Sequence, residues 1–186
     1  MANVDPARLI VRPARDADLA AVAAVHIASW RATYRDELSA EFLARLQVED
    51  RLSLWRQRLA QGATLLVAEE PGVDGLAGFV ASGPSRDADE PDGVWEIWNI
   101  HLLPERKGSG LGSRLFAAAL ERGLASGASQ LTLWVVKTND RARRFYEHKG
   151  MAFDGTAKTV TLRSDSGSGA REEAMDEVRY RRAIAA

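Results

Sequence analysis

Stretches of helical and of strand periodicity alternate along the chain, and this pattern predicts an α/β fold. Residues 9–11 form a short β-type run, and the apolar positions of 19–30 recur three and four residues apart, as on one face of a helix. One or two shorter helices follow and end near Gly62. The apolar runs 64–68 and 76–81 flank a turn-rich segment and predict an antiparallel hairpin.

The middle of the chain predicts a crossover between two parallel strands. Residues 82–93 carry Pro, Gly and acidic side chains and predict a solvated loop. Residues 94–103 form an apolar strand that Pro104 ends, because proline has no N–H for the ladder. A glycine-rich segment then opens a helix, and 131–136 is the near-continuous apolar run typical of a buried parallel strand. A right-handed crossover would place the two strands side by side.

The last part of the chain predicts one more helix and a final pair of strands. Asn139 or Asp140 caps the helix, which stops at Gly150. Residues 159–162 and 178–182 are predicted strands. The Gly/Ser-rich segment 164–170 between them predicts a mobile loop.

Composition narrows the class of protein. The 186 residues are 46% hydrophobic and 27% charged, which predicts one globular domain over 1–186. A formal net charge of -1 provides no general field for nucleic acid or an anionic membrane, and neither is an expected partner. The chain has no cysteine, no run long enough to span a membrane and no signal-peptide pattern at its start, so the expected compartment is the cytoplasm.

The segment 106–112, Arg-Lys-Gly-Ser-Gly-Leu-Gly, has the chemistry of an anion site. A helix N-terminus presents unpaired N–H groups and a partial positive charge, and glycines let a phosphate approach the backbone. The spacing matches neither common phosphate motif. A Walker loop needs a Lys followed by Ser or Thr, and the dinucleotide fingerprint needs a third glycine where this chain has Ser113.

Lys107-x-x-Gly110-x-Gly112 after an apolar strand resembles the acetyl-CoA motif [RQ]-x-x-G-x-[GA] of the GNAT superfamily of N-acetyltransferases. The following strand and helix, with Asn139 and Phe145-Tyr146, are also similar to that family, and the resemblance covers nearly the whole chain. Lys107 departs from the usual Arg or Gln, and lysine offers a point charge without a planar fork.

The resemblance implies a mixed, mostly antiparallel sheet with helices on both faces. Its central parallel pair would splay into a V that holds the pantetheine of CoA like an extra strand. Asn139 would bond that arm, or simply cap its helix, or do both. The implied cofactor-binding residues are Leu102, Lys107, Gly108, Gly110, Leu111, Gly112, Ser113 and Asn139.

Two residues are candidates for catalysis. Tyr146 stands where the family has a tyrosine acting as general acid to the CoA sulfur, and its alternative role is packing beside Phe145. Glu96, flanked by apolar residues, is expected to have a raised pKa suited to a general base. Its alternative role is a structural carboxylate bound to Arg31 or another residue of the first helix. Strict alternation puts Glu96 on one face with Trp98, Ile100 and Leu102, unless a bulge changes the parity.

The acceptor is expected to be a primary amine of a small molecule or peptide. Trp30, Tyr34 and Trp98 are candidates to line its cleft, because aromatic faces attract a protonated amine. No histidine set suggests a metal site, and the acidic run within 87–92 predicts solvated surface.

The resulting hypothesis is an acetyl-CoA-dependent N-acetyltransferase that transfers the acetyl group directly. Without cysteine, no thiol-linked acyl-enzyme is expected. Two alternatives stay open: a CoA-binding sensor or scaffold without turnover, and a transferase for a longer acyl chain. A homodimer is compatible with the resemblance, but no sequence feature specifies it.

Overall fold

The computed structural model describes residues 9–71, 74–164 and 171–184. No helix in these ranges has the length and apolarity needed to cross a membrane. The strands are β1 (Ile10–Pro13), β2 (Thr64–Glu69), β3 (Leu76–Pro84), β4 (Val94–Leu102), β5 (Gln130–Val136), β6 (Ala152–Ser164) and β7 (Arg171–Ala183). The helices are α1 (Leu19–Thr33), α2 (Ala40–Ala44), α3 (Val48–Ala60), α4 (Leu111–Ala125) and α5 (Asp140–His148).

The strands form one sheet in the order β1-β2-β3-β4-β5-β7-β6. Every neighbouring pair is antiparallel except β4 and β5, which are parallel and joined through α4. One apolar cluster packs α4 against the sheet, around Leu115 and Leu131, and a second packs α1 and α3 around Trp55 and Phe79. The predicted fold class, a mixed sheet with helices on both faces and a central parallel pair, is confirmed.

Individual elements differ from prediction mainly in length. The hairpin of β2 and β3 and the crossover through α4 form as expected, and the residues after α1 make two helices. β6 and β7 each have 13 residues, longer than predicted, because β6 is largely exposed and its polar ends carry no apolar pattern. Most of the predicted mobile loop, residues 165–170, lies outside the described residues.

A bulge interrupts β4 at Trp98. Ala81 pairs with Asn99 and the next residue of β3 pairs with Ile97, so Trp98 has no partner on β3. An extra residue reverses the inward and outward positions after it. Ile100 and Leu102 therefore pack on the α4 side, with Ile97. Of the two arrangements left open by the sequence, the one with a bulge is therefore present, and Glu96 does not share a face with Ile100 and Leu102.

The segment predicted to be a solvated loop is mostly exposed beyond β3, as expected, but its acidic residues bind a buried cation of the sheet. β3 continues to Pro84, and the acidic residues that follow contact Arg179 of β7, whose side chain is only 6% exposed. The guanidinium lies 3.3 Å from Asp87, 3.0 Å from Asp89 and 2.8 Å from Glu90. Asp154 of β6 completes the cluster at 2.7 Å. Sequence composition missed this because the cation is about 90 residues away along the chain.

We expect Arg179→Met to destabilise the fold by about 3 kcal/mol, because the largely buried Asp87, Glu90 and Asp154 lose the buried guanidinium that they share and keep only the more exposed Arg181 and Lys158 as counter-charges. Arg35→Met is a matched control, since the Arg35–Asp36 pair is exposed and should contribute less than about 1 kcal/mol. Urea unfolding of both variants measures the free energies of unfolding. Equal effects in the two variants would contradict a stabilising role for the Arg179 cluster.

Candidate active site

A cleft opens where the two parallel strands separate. β4 and β5 pair only as far as Ile97 opposite Leu133, although β4 continues to Leu102 and β5 to Val136. Beyond that point the facing strand edges have no strand partner in the described chain, and a cleft of about 420 Å³ lies between them. Backbone groups at such an edge need a partner, so an extended molecule bearing amides can add there as a strand.

The glycine loop forms one end of the cleft, which we call the glycine end; it comprises Lys107, Gly108, Gly110, Gly112 and Arg141. Gly108 has φ +89° and Gly110, the N-cap of α4, has φ +81°, values that L side chains rarely adopt. No atom lies within 4 Å of where a Cβ would stand on either residue. The backbone is therefore open to a ligand at the positive end of the α4 dipole.

Two cations add formal charge to the glycine end. Lys107 donates a hydrogen bond from Nζ to the Thr33 hydroxyl at 2.8 Å, so its side chain links the loop to α1. Burial lowers the Lys107 pKa, and the nearby Arg141 lowers it further. Arg141, which sequence reasoning missed, lies in the first turn of α5. A cation there opposes the helix dipole, and this is a signal that could have marked it as a ligand-binding residue.

Asn139 does cap its helix. Its Oδ1 accepts a hydrogen bond from the Ala142 amide at 3.1 Å, and its side chain also bonds to Tyr34. Burial raises the pKa of Tyr34 to about 12, with a further contribution from the charge of Glu177. Asn139 lines the cleft, but whether it binds pantetheine stays a prediction.

Tyr146 lines the cleft and packs on Phe145, with ring centroids 5.2 Å apart. Burial raises its pKa well above the ordinary value of 10, and the neighbouring Tyr34 adds to the shift. The hydroxyl therefore stays protonated and can donate a hydrogen bond. Both predicted roles, aromatic packing and a position in the cleft, are compatible with this placement.

The other end of the cleft, the aromatic end, comprises Trp30, Tyr34, Trp98, His101 and Glu177. The rings of Trp30 and Tyr34 meet edge to face, 5.4 Å apart. Burial lowers the pKa of His101 to about 3, and nearby arginines contribute, so its imidazole is neutral at physiological pH. His101 faces Ser29 of α1, with 3.2 Å between Nδ1 and Oγ.

The bulge sets the position of Trp98 in this wall. The indole lies against Gly83 of β3, where a Cβ would stand 2.7 Å from Trp98 Cζ2. The Arg86 guanidinium lies 4.7 Å from the indole centroid. A glycine and a cation thus fix the orientation of Trp98.

Glu96 is buried, and Arg86 binds both of its carboxylate oxygens. The Arg86 backbone amide and Nε donate to Oε2 at 2.9 and 3.2 Å, and Nη2 donates to Oε1 at 2.5 Å. The predicted structural partner on α1 was wrong, because Arg31 instead binds the carbonyl oxygens of Leu43 and Leu46. Glu96 is not among the residues lining the cleft.

Glu177 is the carboxylate that does line the cleft, and sequence reasoning missed it. It sits on β7 opposite Val136. Burial raises its pKa; the nearby cations Lys158 and Arg86 oppose that shift. The sequence does contain a signal for it. Glu177 lies two residues after the buried Met175, so on a strand the two side chains point to the same face of the sheet.

Most of the predicted site residues come together in this one cleft. Glu96 and the buried Leu111 do not line it. The predicted residues that line it are Trp30, Tyr34, Trp98, Leu102, Lys107, Gly108, Gly110, Gly112, Ser113, Asn139 and Tyr146.

Comparison with known proteins gives consistent results. Residues 27–153 match the model of the acetyltransferase (GNAT) family. The chain is 35% identical over 130 residues to an uncharacterized N-acetyltransferase, YuaI, of Bacillus subtilis, covering 69% of this chain and 72% of that protein.

Two solved structures share the fold. PaiA N-acetyltransferase from Thermoplasma acidophilum, in complex with coenzyme A, superposes with a TM-score of 0.69 at 18% identity, over 95% of this chain and 99% of that one. YncA from Salmonella typhimurium, solved with its cofactor acetyl-CoA, superposes with a TM-score of 0.67 at 20% identity, over 96% of this chain and 95% of that one.

We expect Gly110→Val to weaken CoA binding more than tenfold, because the new side chain fills the space beside the α4 amides. Gly62→Val is the matched control: Gly62 has φ +87° and no atom within 4 Å of its Cβ position, but lies outside the cleft. Calorimetric titration of CoA into both folded variants measures the difference. Equal affinities would show that residue 110 does not face the phosphates.

Proposed function

The chain belongs to the GNAT family of acetyltransferases, which use acetyl-CoA, and on that premise we propose that it transfers the acetyl group directly to a primary amine bound at the aromatic end of the cleft. The observation that carries this proposal is the continuity of the cleft. One opening joins an anion-binding end, a free strand edge and an aromatic end that contains a carboxylate. Donor and acceptor can therefore meet without a covalent intermediate on the protein.

The residues at the glycine end fit the donor. The open backbone at Gly108 and Gly110 and the charges of Lys107 and Arg141 suit a diphosphate. The unpaired edge of β4 suits the two amides of a pantetheine arm, which add as a strand would. Acetyl-CoA supplies a thioester, whose C–S bond breaks as the new N–C bond forms.

Glu177 is the proposed proton acceptor for the amine. An amine must lose its proton to become nucleophilic. Glu177 is the carboxylate among the described residues that line the cleft, and a carboxylate can accept this proton. Its burial raises its pKa and so makes it a stronger base than an exposed carboxylate. Trp30 and Trp98 bind the cationic form of the amine as it arrives.

Glu96 is proposed to act on the acceptor through Arg86. Two hydrogen bonds from the guanidinium and one from the Arg86 backbone amide hold Arg86 to this carboxylate, and the same guanidinium stacks on Trp98. Glu96 would then be a positioning residue for the acceptor wall. Its predicted role as a base is the alternative, and the experiment below separates the two.

Tyr146 is proposed to stabilise the leaving thiolate. A cysteine thiol has a pKa of about 8.5, and burial holds the Tyr146 pKa above its ordinary value of 10, so the phenol is the weaker acid. Complete proton transfer from the phenol to sulfur is therefore uphill. A hydrogen bond donated to the sulfur as its charge develops is the contribution that this pKa favours.

We expect Tyr146→Phe to lower kcat about 10- to 100-fold with little change in CoA affinity, because the lost hydrogen bond forms mainly in the transition state. Tyr180→Phe is the matched control, since its hydroxyl bonds to Glu147 and Arg143 away from the cleft. Free-thiol release and CoA titration give the two quantities. An unchanged kcat in Tyr146→Phe would leave this tyrosine with packing alone.

The carboxylates are distinguished by the pH dependence of kcat/KM. A raised Glu177 pKa means that the base form is present above that pKa and is lost as the pH falls through it, at a pH above the ordinary 4.5. We expect Glu177→Gln to remove this acid limb and lower kcat/KM about 100-fold. Glu96→Gln should keep the limb and raise the KM for the amine.

Glu172→Gln, an exposed change on the same strand as Glu177, is the control and should match the unmodified protein. Loss of the acid limb in Glu96→Gln alone would assign the base to Glu96. CoA binding without thiol release for any amine would favour the sensor.

A further inference from the structure

Two partly buried arginines of α3 contact residues that line the cleft, although neither arginine lines it directly. Arg51 and Arg58 are seven residues apart, two helical turns, and flank the fully buried Trp55 on the same face. The Arg51 guanidinium lies 4.8 Å from the ring centroid of Trp30, which lines the cleft. Arg58 donates a hydrogen bond to the side-chain oxygen of Asn99, another lining residue.

These two arginines have no carboxylate partner among the described residues. Two other half-buried arginines do have one: Arg12 binds Asp18 at 2.7 Å and Arg106 binds Glu70 at 2.8 Å. Arg51 instead stacks on an indole, and Arg58 is 5.1 Å from the ring centroid of Trp55. A neutral amide and aromatic faces do not neutralise a guanidinium that has lost part of its hydration.

The electrostatics around the pair reflect this missing counter-charge. Burial lowers the pKa of Arg58 to about 10, with contributions from Arg86 and Arg51 that the charge of Glu96 opposes, and burial lowers the pKa of Arg51 against the opposing charge of Asp50. Both arginines also help to depress the pKa of His101 in the cleft. This side of the aromatic end therefore favours a negative charge, while Glu177 on β7 favours a positive one.

From this arrangement we infer that Arg51 and Arg58 form an anion subsite, and that the acceptor is an amine that also carries a carboxylate or a similar oxyanion. The inference rests on the proposed acetyl transfer and names its substrate class. The oxyanion binds the guanidinium forks on α3, where charge-assisted bonds to arginine are strong. The amino group of the same molecule then lies toward Glu177 and the glycine end.

The test compares acceptors that differ only in the anion. Each of several α-, β- and ω-amino acids is assayed beside its carboxamide by free-thiol release from acetyl-CoA. Loss of an α-carboxylate lowers the pKa of the neighbouring amine and leaves more of it neutral, so without an anion subsite the α-carboxamides are the better acceptors. We expect the opposite, with kcat/KM for the best acid at least about tenfold above that of its amide.

Substitutions of the two arginines test whether they cause the preference for acids over amides. Arg51→Gln and Arg58→Gln should each reduce the acid-to-amide ratio about tenfold, while Arg51→Lys should retain part of it. Arg56→Gln, an exposed arginine on the same helix, is the control and should keep the full ratio. Thermal melting verifies that each variant is folded, and an unfolded glutamine variant is replaced by the corresponding lysine variant.

Three results would overturn the inference. Amides or uncharged amines could be preferred as acceptors, or Arg56→Gln could lower the acid-to-amide ratio as much as the Arg51 and Arg58 variants do. The Arg51 and Arg58 variants could also lower the acetylation of acids and of amides equally, which is the result expected if these arginines have a purely structural role. In these cases acetyl transfer itself stands. If the folded protein binds CoA but acetylates no acceptor in either set, the proposed function fails and the inference fails with it.

Discussion

The early end of hydrogen bonding between β4 and β5 is the constraint on which the site depends. Pairing stops at Ile97 and Leu133, while both strands continue, each still held on its outer edge by an antiparallel neighbour. The outer pairing keeps the separated strands in place, so the gap is a fixed part of the fold. Backbone groups that a neighbouring strand would normally satisfy are thereby left for the donor molecule.

The same gap places groups that attract anions and a group that attracts cations in one cavity. The glycine end combines a helix N-terminus with two cations, and the aromatic end contains Glu177. Burial in the cleft shifts the pKa values of Tyr34, Tyr146, His101 and Glu177 away from their ordinary values. Each shift has the same origin, because the charged form of each group loses hydration there.

How much the sequence predicts depends on how local each feature is. The glycine loop and the capping Asn139 are local, and their residue types and spacing identify them. The bulge at Trp98 depends on how β4 pairs with β3, and the partner of Glu96 comes from a loop ten residues earlier. Glu177 enters the cleft only through the pairing of β7 with β5, some 40 residues away in sequence. Such features follow from strand register, which a single sequence specifies only indirectly.

The contact between Trp98 and Gly83 has a consequence for how acceptor preference can change. A residue without a side chain supports the indole from behind, and even one methyl group at position 83 would require the ring to move. The shape of the aromatic end is thus open to alteration by substitutions at a position that touches no ligand. A comparison of related enzymes restricted to residues in the cavity would overlook this source of divergence in specificity.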